Sequence, residues 1–230
     1  MFEGPLARIC LTTSKDIAMI VYGSPISPFV RKVLAFAAEK GLEIALKPGG
    51  MGQGGAEFAE VSPMGKMPGF RDGDYVLADS SAIAHYIDAA YPENNLIPTD
   101  AKARGRTVWF DEFADTVVMA SGAKIFFNRI VSPKFMGKPG DEAAAEQGEA
   151  ELPKLFDYLE GVIPASGFLV EERLTLADIA IATVFVNLDH LGILPNAATH
   201  PKLAGYIAAL HARPGFAKWI AIERKTLGGG

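Results

Sequence analysis

Two serines stand in the segment Ser24-Pro25-Ile26-Ser27-Pro28-Phe29, directly after a short apolar run. The run Ile17 to Tyr22 has the composition of a buried strand. Ser27-Pro28 has the signature of a helix start, with serine as N-cap and proline at the first helical position. A hydroxyl at such a junction sits where backbone N–H groups and the helix dipole favour an anion. Taken alone, Ser27 reads first as a plain cap.

Two further segments have the composition of a binding site. Lys66-Met67-Pro68-Gly69 precedes a second β-like run. A trans proline at a strand start is the ordinary reading, whereas a cis bond would leave the Met67 N–H and C=O facing an incoming chain. Asp79-Ser80-Ser81 opens another helix, where hydroxyls and the helix N-terminus can hold a carboxylate and Asp79 can pair with an ammonium; it also reads as a cap. Thr175-Leu-Ala-Asp178 reads as a capping box and is structural. His85, His190, His200 and His211 lack metal-ligand spacing, so no metal is expected. Cys10, the single cysteine, lies too far upstream to serve as a nucleophile here, and it permits no intrachain disulfide, as suits a reducing cytoplasm.

The elements that must carry these residues change in kind along the chain. Val30, Val33, Leu34 and Ala37 make the apolar stripe of a helix closed by Lys40-Gly41. Leu42 to Lys47 is a second strand, followed by the glycine-rich loop Gly49 to Gly55 and room for a short helix. Gly69 to Arg71 and Tyr75 to Leu77 flank Asp72-Gly73 as a hairpin, and a helix runs from Asp79 through Ala90. Beyond the prolines of Tyr91 to Pro98 the patterning is helical: Lys102 to Ile130, stopped or kinked at Ser132-Pro133, then Asp141 to Gly161. Later helices follow Thr175 and lie within Pro201 to Arg213 and Gly215 to Glu223. The expected organisation is an extension at 1–16, an α/β domain at 17–92, a linker at 93–102 and an all-helical domain at 103–230.

With 230 residues, 49% hydrophobic and 21% charged, the chain can bury a substantial core. A net charge of −5 without a Lys/Arg run argues against nucleic acid as partner. No apolar stretch approaches the roughly 20 residues that span a bilayer, so no membrane partner is expected, and residues 1–15 lack a secretory signal pattern.

In their order and spacing these motifs resemble the cytosolic glutathione transferases, from about Ile17 to Ile222. The resemblance is carried by Tyr22, Ser27-Pro28-Phe29-Val30-Arg31-Lys32-Val33, Glu39-Lys40-Gly41, and Ser62-Pro63-Met64-Gly65-Lys66-Met67-Pro68. It continues through Asp79-Ser80-Ser81-Ala82-Ile83, Leu174 to Ile179 and Arg213-Pro214-Gly215-Phe216. It implies an α/β thioredoxin-like N-terminal domain, an all-α C-terminal domain, glutathione as co-substrate, and a homodimer. It further implies that Met67-Pro68 is a cis turn pairing with the cysteinyl part of glutathione, that Lys66 lies near the peptide, and that Asp79 and Ser80 grip its γ-glutamyl group. Ser27 matches the position of the catalytic serine in plant-type members and of the catalytic cysteine in omega-type members, with Ser24 as a competitor. Ser62 and Asp79 stand where the family more often has Asn and Glu.

A free thiol has a pKa near 8.5 and is mostly protonated at pH 7. One hydrogen bond to the thiolate, at about 1.5–3 kcal/mol, lowers that pKa by one to two units, so serine suffices. Serine cannot form a mixed disulfide, which leaves conjugation to a small apolar electrophile as the expected reaction. Phe29, Phe110, Phe113, Val117 and Met119 are available to hold the electrophile, and core packing explains them equally well. Ether cleavage, peroxide reduction, isomerisation, or a non-catalytic interaction module on the same fold are the alternatives.

Overall fold

The computed structural model describes residues 19–228. The expected extension, Cys10, Ile17 and Ala18 lie outside the described residues.

The first unit is built by the period-2 alternation of one strand. In β1 (Met19–Tyr22), Met19 and Val21 face one side of the sheet and Ile20 and Tyr22 the other. Met19 and Val21 meet Val30, Val33 and Leu34 of α1 (Pro28–Glu39) and Ile83 and Ile87 of α3 (Ser80–Ala90). Ile20 and Tyr22 meet Phe58 and Val61 of α2 (Gly55–Val61). The sheet has the order β2-β1-β3-β4. β2 (Ala45–Lys47) runs parallel to β1, while β3 (Gly69–Asp72) and β4 (Tyr75–Ala78) are antiparallel additions. Helices thus cover both faces of a small mixed sheet, a thioredoxin-like arrangement.

The second unit is helical. A continuous run comprises α4 (Ala101–Glu112), a π-helical stretch Phe113–Val118, α5 (Met119–Phe126) and a second π-helical stretch Phe127–Phe135. α6 (Glu142–Val162), α7 (Leu176–Asp189), α8 (Pro201–His211) and α9 (Pro214–Thr226) complete it. α7 is buried on every side from Leu176 to Leu188 and mostly apolar, as a central helix must be. It packs on α1, α4, α5 and α8, so one core joins both units. Its start is the expected capping box. The Asp178 carboxylate accepts from Thr175 N–H at 2.9 Å, Leu169 N–H at 2.9 Å and the Tyr206 hydroxyl at 2.9 Å. Burial raises the Asp178 carboxyl pKa despite these donors.

Several boundaries differ from the sequence reading, among them the following. β2 begins at Ala45 rather than Leu42. Asp72 pairs with Tyr75, so the hairpin loop is Gly73-Asp74, with Gly73 at φ +57°. Of the stop or kink expected at Ser132-Pro133, the stop does not occur: the run continues to Phe135, because the wider π turn there eases the clash between the proline ring and the preceding turn.

Candidate functional site

The site begins where β1 gives way to α1. Gly23 allows the tight departure: a Cβ there would lie 2.4 Å from Val30 Cγ2. The chain then bends so that Ser27 N–H donates to the Ser24 carbonyl at 3.0 Å. Ser27 occupies the N-cap of α1 with Pro28 following, but its side chain makes no capping hydrogen bond. The hydroxyl therefore remains available at a helix N-terminus. Both Ser24 and Ser27 line one cavity. Tyr22, at the end of β1, points to the other face of the sheet and donates its hydroxyl to Glu57 Oε1 at 2.6 Å. Burial, aided by that bond, raises the Tyr22 phenol pKa, so it is no source of an activating anion.

Met67-Pro68 is a cis peptide, and Met67 lines the same cavity. Neither its N–H nor its C=O takes part in a backbone hydrogen bond among the described residues. Lys66 is exposed beside it.

Asp79 is the N-cap of α3, its carboxylate accepting from Ser81 N–H and Ala82 N–H at 3.0 Å each. Its φ is +79°, a left-handed backbone that a non-glycine residue rarely adopts and that costs roughly 1–3 kcal/mol. Such strain marks a position whose direction matters more than its local comfort. Ser80, the first helical residue, is buried.

The cavity of about 610 Å³ is bounded on its other side by Met51, Met119, Phe126, Phe127, Phe135 and Met136, with Asn187 also contributing. Phe29, Phe110, Phe113 and Val117 do not line it. Phe29 is half-buried. Phe110 is fully buried, edge-on to Trp109. Phe113 stacks on Trp109 and leans on Tyr158, while Val117 is exposed elsewhere. The sequence reading carried an unbroken helical period through this region. Met119, from the expected set, does line the cavity, joined by Ala123, Phe126 and Phe127, all beyond the π-helical stretch Phe113–Val118 that shifts the faces.

Two buried cations that the motif reading did not single out brace the site. Arg31 and Lys32 are both 0% exposed. Arg31 forms a fork with Glu223 of α9, Nε to Oε1 at 2.8 Å and Nη2 to Oε2 at 2.7 Å. Lys32 Nζ donates to Asp111 Oδ1 at 2.8 Å, Asp115 Oδ2 at 2.6 Å and Ser81 Oγ at 3.0 Å. Asp115 Oδ1 is buried without a partner among the described residues, and burial raises that carboxyl pKa against the pull of Lys32. Charged residues inside an otherwise apolar α1 stripe were the available signal, since a buried charge must be paired.

Among the described residues no group of His, Cys, Asp and Glu is placed to hold a metal ion, and no helix is long and apolar enough to cross a membrane.

Comparison with known proteins bears on this geometry. The family model described as glutathione S-transferase, N-terminal domain, matches residues 21–95, and that described as glutathione S-transferase, C-terminal domain, matches 126–223. A glutathione S-transferase of Hyoscyamus muticus is 31% identical over 215 residues, covering 91% of this chain and 100% of the relative. Glutathione S-transferase 3 of Zea mays is 30% identical over 207 residues, covering 87% and 92%. Among solved structures, a glutathione S-transferase from Rhodospirillum rubrum superposes with a TM-score of 0.80 at 23% identity, covering 87% of this chain and 91% of that one.

Proposed function

The chain belongs to the glutathione S-transferase family and is a glutathione transferase, and from that premise we propose that Ser27 supplies the hydroxyl that ionises the bound thiol. The observation that carries this is the Ser27 side chain, unspent on capping, at the N-terminus of α1 and on the wall of the cavity. Met67 offers its free main-chain groups to the cysteinyl part of glutathione, as in strand pairing. Asp79 and Ser80, at the N-terminus of α3, receive the γ-glutamyl ammonium and carboxylate, with Lys66 near the peptide. The thiolate then attacks an apolar electrophile seated against Met119, Phe126, Phe127 and Phe135. The new bond is sulfur to the electrophilic atom, and the displaced group leaves with its electron pair.

Ser24 shares the cavity wall but precedes Pro25 in the loop and has no helix behind it. Its assigned part is secondary. Titration of the thiolate absorbance of bound glutathione in Ser27→Ala and Ser24→Ala tests the assignment: Ser27→Ala is expected to raise the thiol pKa by at least about one unit. A shift in Ser24→Ala alone would transfer the role to Ser24. The enzyme is further proposed to work in the cytoplasm as a two-fold dimer, with the α/β unit of one copy facing the helical unit of the other. Tyr75 on β4 and Trp109 on α4, exposed by 45% and 43%, are the apolar surface supporting that arrangement. A monomer by light scattering at micromolar concentration would contradict it.

A further inference from the structure

We infer that Thr183 and Asn187 of α7 are positioning residues that aim the Ser27 hydroxyl, held in turn by the buried Arg31–Glu223 pair; this rests on the reading of Ser27 as the thiol donor. A serine side chain is directed by the backbone on either side of it. The carbonyls of the residues before and after Ser27 are both anchored from α7. The Pro28 carbonyl accepts from Thr183 Oγ1 at 2.6 Å. The Ile26 carbonyl accepts from Asn187 Nδ2 at 3.3 Å and from Arg31 Nη2 at 3.4 Å. Thr183 and Asn187 are four residues apart, hence on one face of the helix, and are buried at 0% and 2% exposure.

The guanidinium decides how that face is used. Arg31 Nη2 donates to Asn187 Oδ1 at 2.9 Å, which turns the Asn187 amide so that Nδ2 points at Ile26. Arg31 Nη1 donates to the carbonyl and hydroxyl oxygens of Thr183. Glu223, also 0% exposed, grips the fork from α9 and accepts from or pairs with His190 Nε2 at 2.7 Å. A buried ion pair is weak evidence for stability, since an apolar replacement of equal volume often does as well. What this network supplies is direction. It joins α1, α7 and α9 across 152 to 192 residues of sequence and ends on the peptide group just before the reacting serine and on the one just after Pro28.

Thr183→Val keeps the side-chain shape and removes the donor to Pro28, whereas Thr183→Ser keeps the donor. In thiolate titrations of bound glutathione, Thr183→Val is expected to raise the thiol pKa by about half a unit or more. It should lower kcat/KM at pH 6.5 by about threefold or more, while the glutathione dissociation constant stays within about twofold. Thr183→Ser is expected to retain the wild-type thiol pKa. An unshifted thiol pKa in Thr183→Val, or an equal shift in both variants, overturns the positioning role. Should Thr183→Val fail to fold, Asn187→Leu removes the other donor and is judged by the same shift. Ser27→Ala, measured alongside, separates the two failures. If it shifts the thiol pKa and Thr183→Val does not, only the positioning role falls; if it shifts nothing, the reading of Ser27 falls too.

Discussion

Arg31 and Lys32 are consecutive on α1 and equally buried, yet their surroundings are built differently. The Arg31 side is closed: the fork meets one carboxylate, and the remaining donors reach Thr183, Asn187 and Ile26. The Lys32 side is open-ended, with one ammonium between two carboxylates and Asp115 Oδ1 left without a partner among the described residues. A planar fork fixes directions, while an ammonium is a point charge with rotatable donors. The first suits the loop that carries Ser27. The second, which reaches Ser81, braces the N-terminus of α3 while leaving a surplus negative charge near Asp79.

The largest expected effect tests that contrast in stability. Glu223→Ala leaves Arg31 buried without its carboxylate and is expected to cost about 3–5 kcal/mol in urea unfolding. Asp111→Ala should cost distinctly less, because Asp115 still neutralises Lys32. Equal losses would break the distinction. Next comes binding: Asp79→Ala is expected to weaken glutathione affinity by about 1.5–3 kcal/mol by calorimetry, with a smaller loss of turnover at saturation. An unchanged dissociation constant would reduce Asp79 to a cap. Third, Ser27→Ala should lower kcat/KM at pH 6.5 roughly tenfold or more, against a few-fold for Ser24→Ala.

The smallest effect is in pH dependence, where a buried histidine of α8 and the Lys32-bound carboxyl Asp115 should slope oppositely. Burial holds His211, which donates from Nε2 to the Ala182 carbonyl, below its ordinary 6.5. The unfolded chain protonates it first, so this contribution is complete above pH 6.5 and is lost as pH falls toward the depressed native value. Asp115 is raised above 3.8, so the native state keeps that proton longer. Its contribution is complete below pH 3.8 and is lost as pH rises through the raised native value. Melting temperatures between roughly pH 4 and 7 should therefore fall less on acidification in His211→Gln, and rise less on acidification in Asp115→Asn. Parallel profiles for both variants and the wild type would remove this sharpening of the contrast.

The helical wall of the cavity shows where sequence reading stops. Met119 and Phe126 belong to the helix in which the wall was sought, but Phe110 and Phe113, the residues first expected there, are turned elsewhere. Amphipathic patterning assumes one residue-per-turn value along a helix, and two π-helical stretches change it. Met51 and Met136 reach the cavity from loop positions outside any periodic segment.

Local chemistry was legible from the sequence because each motif needs only near neighbours. Ser27-Pro28 starts a helix through a missing N–H and a preset φ, Thr175 and Asp178 cap one within a single turn, and the apolar run ending at Tyr22 forms a strand. Tertiary packing alone decided which serine-flanking carbonyls meet Thr183 and Asn187, which carboxylate each buried cation takes, and which aromatics face the cavity. Those partners are joined by contacts spanning 79 to 192 residues, and no local preference encodes the direction of a side chain toward a helix that far away.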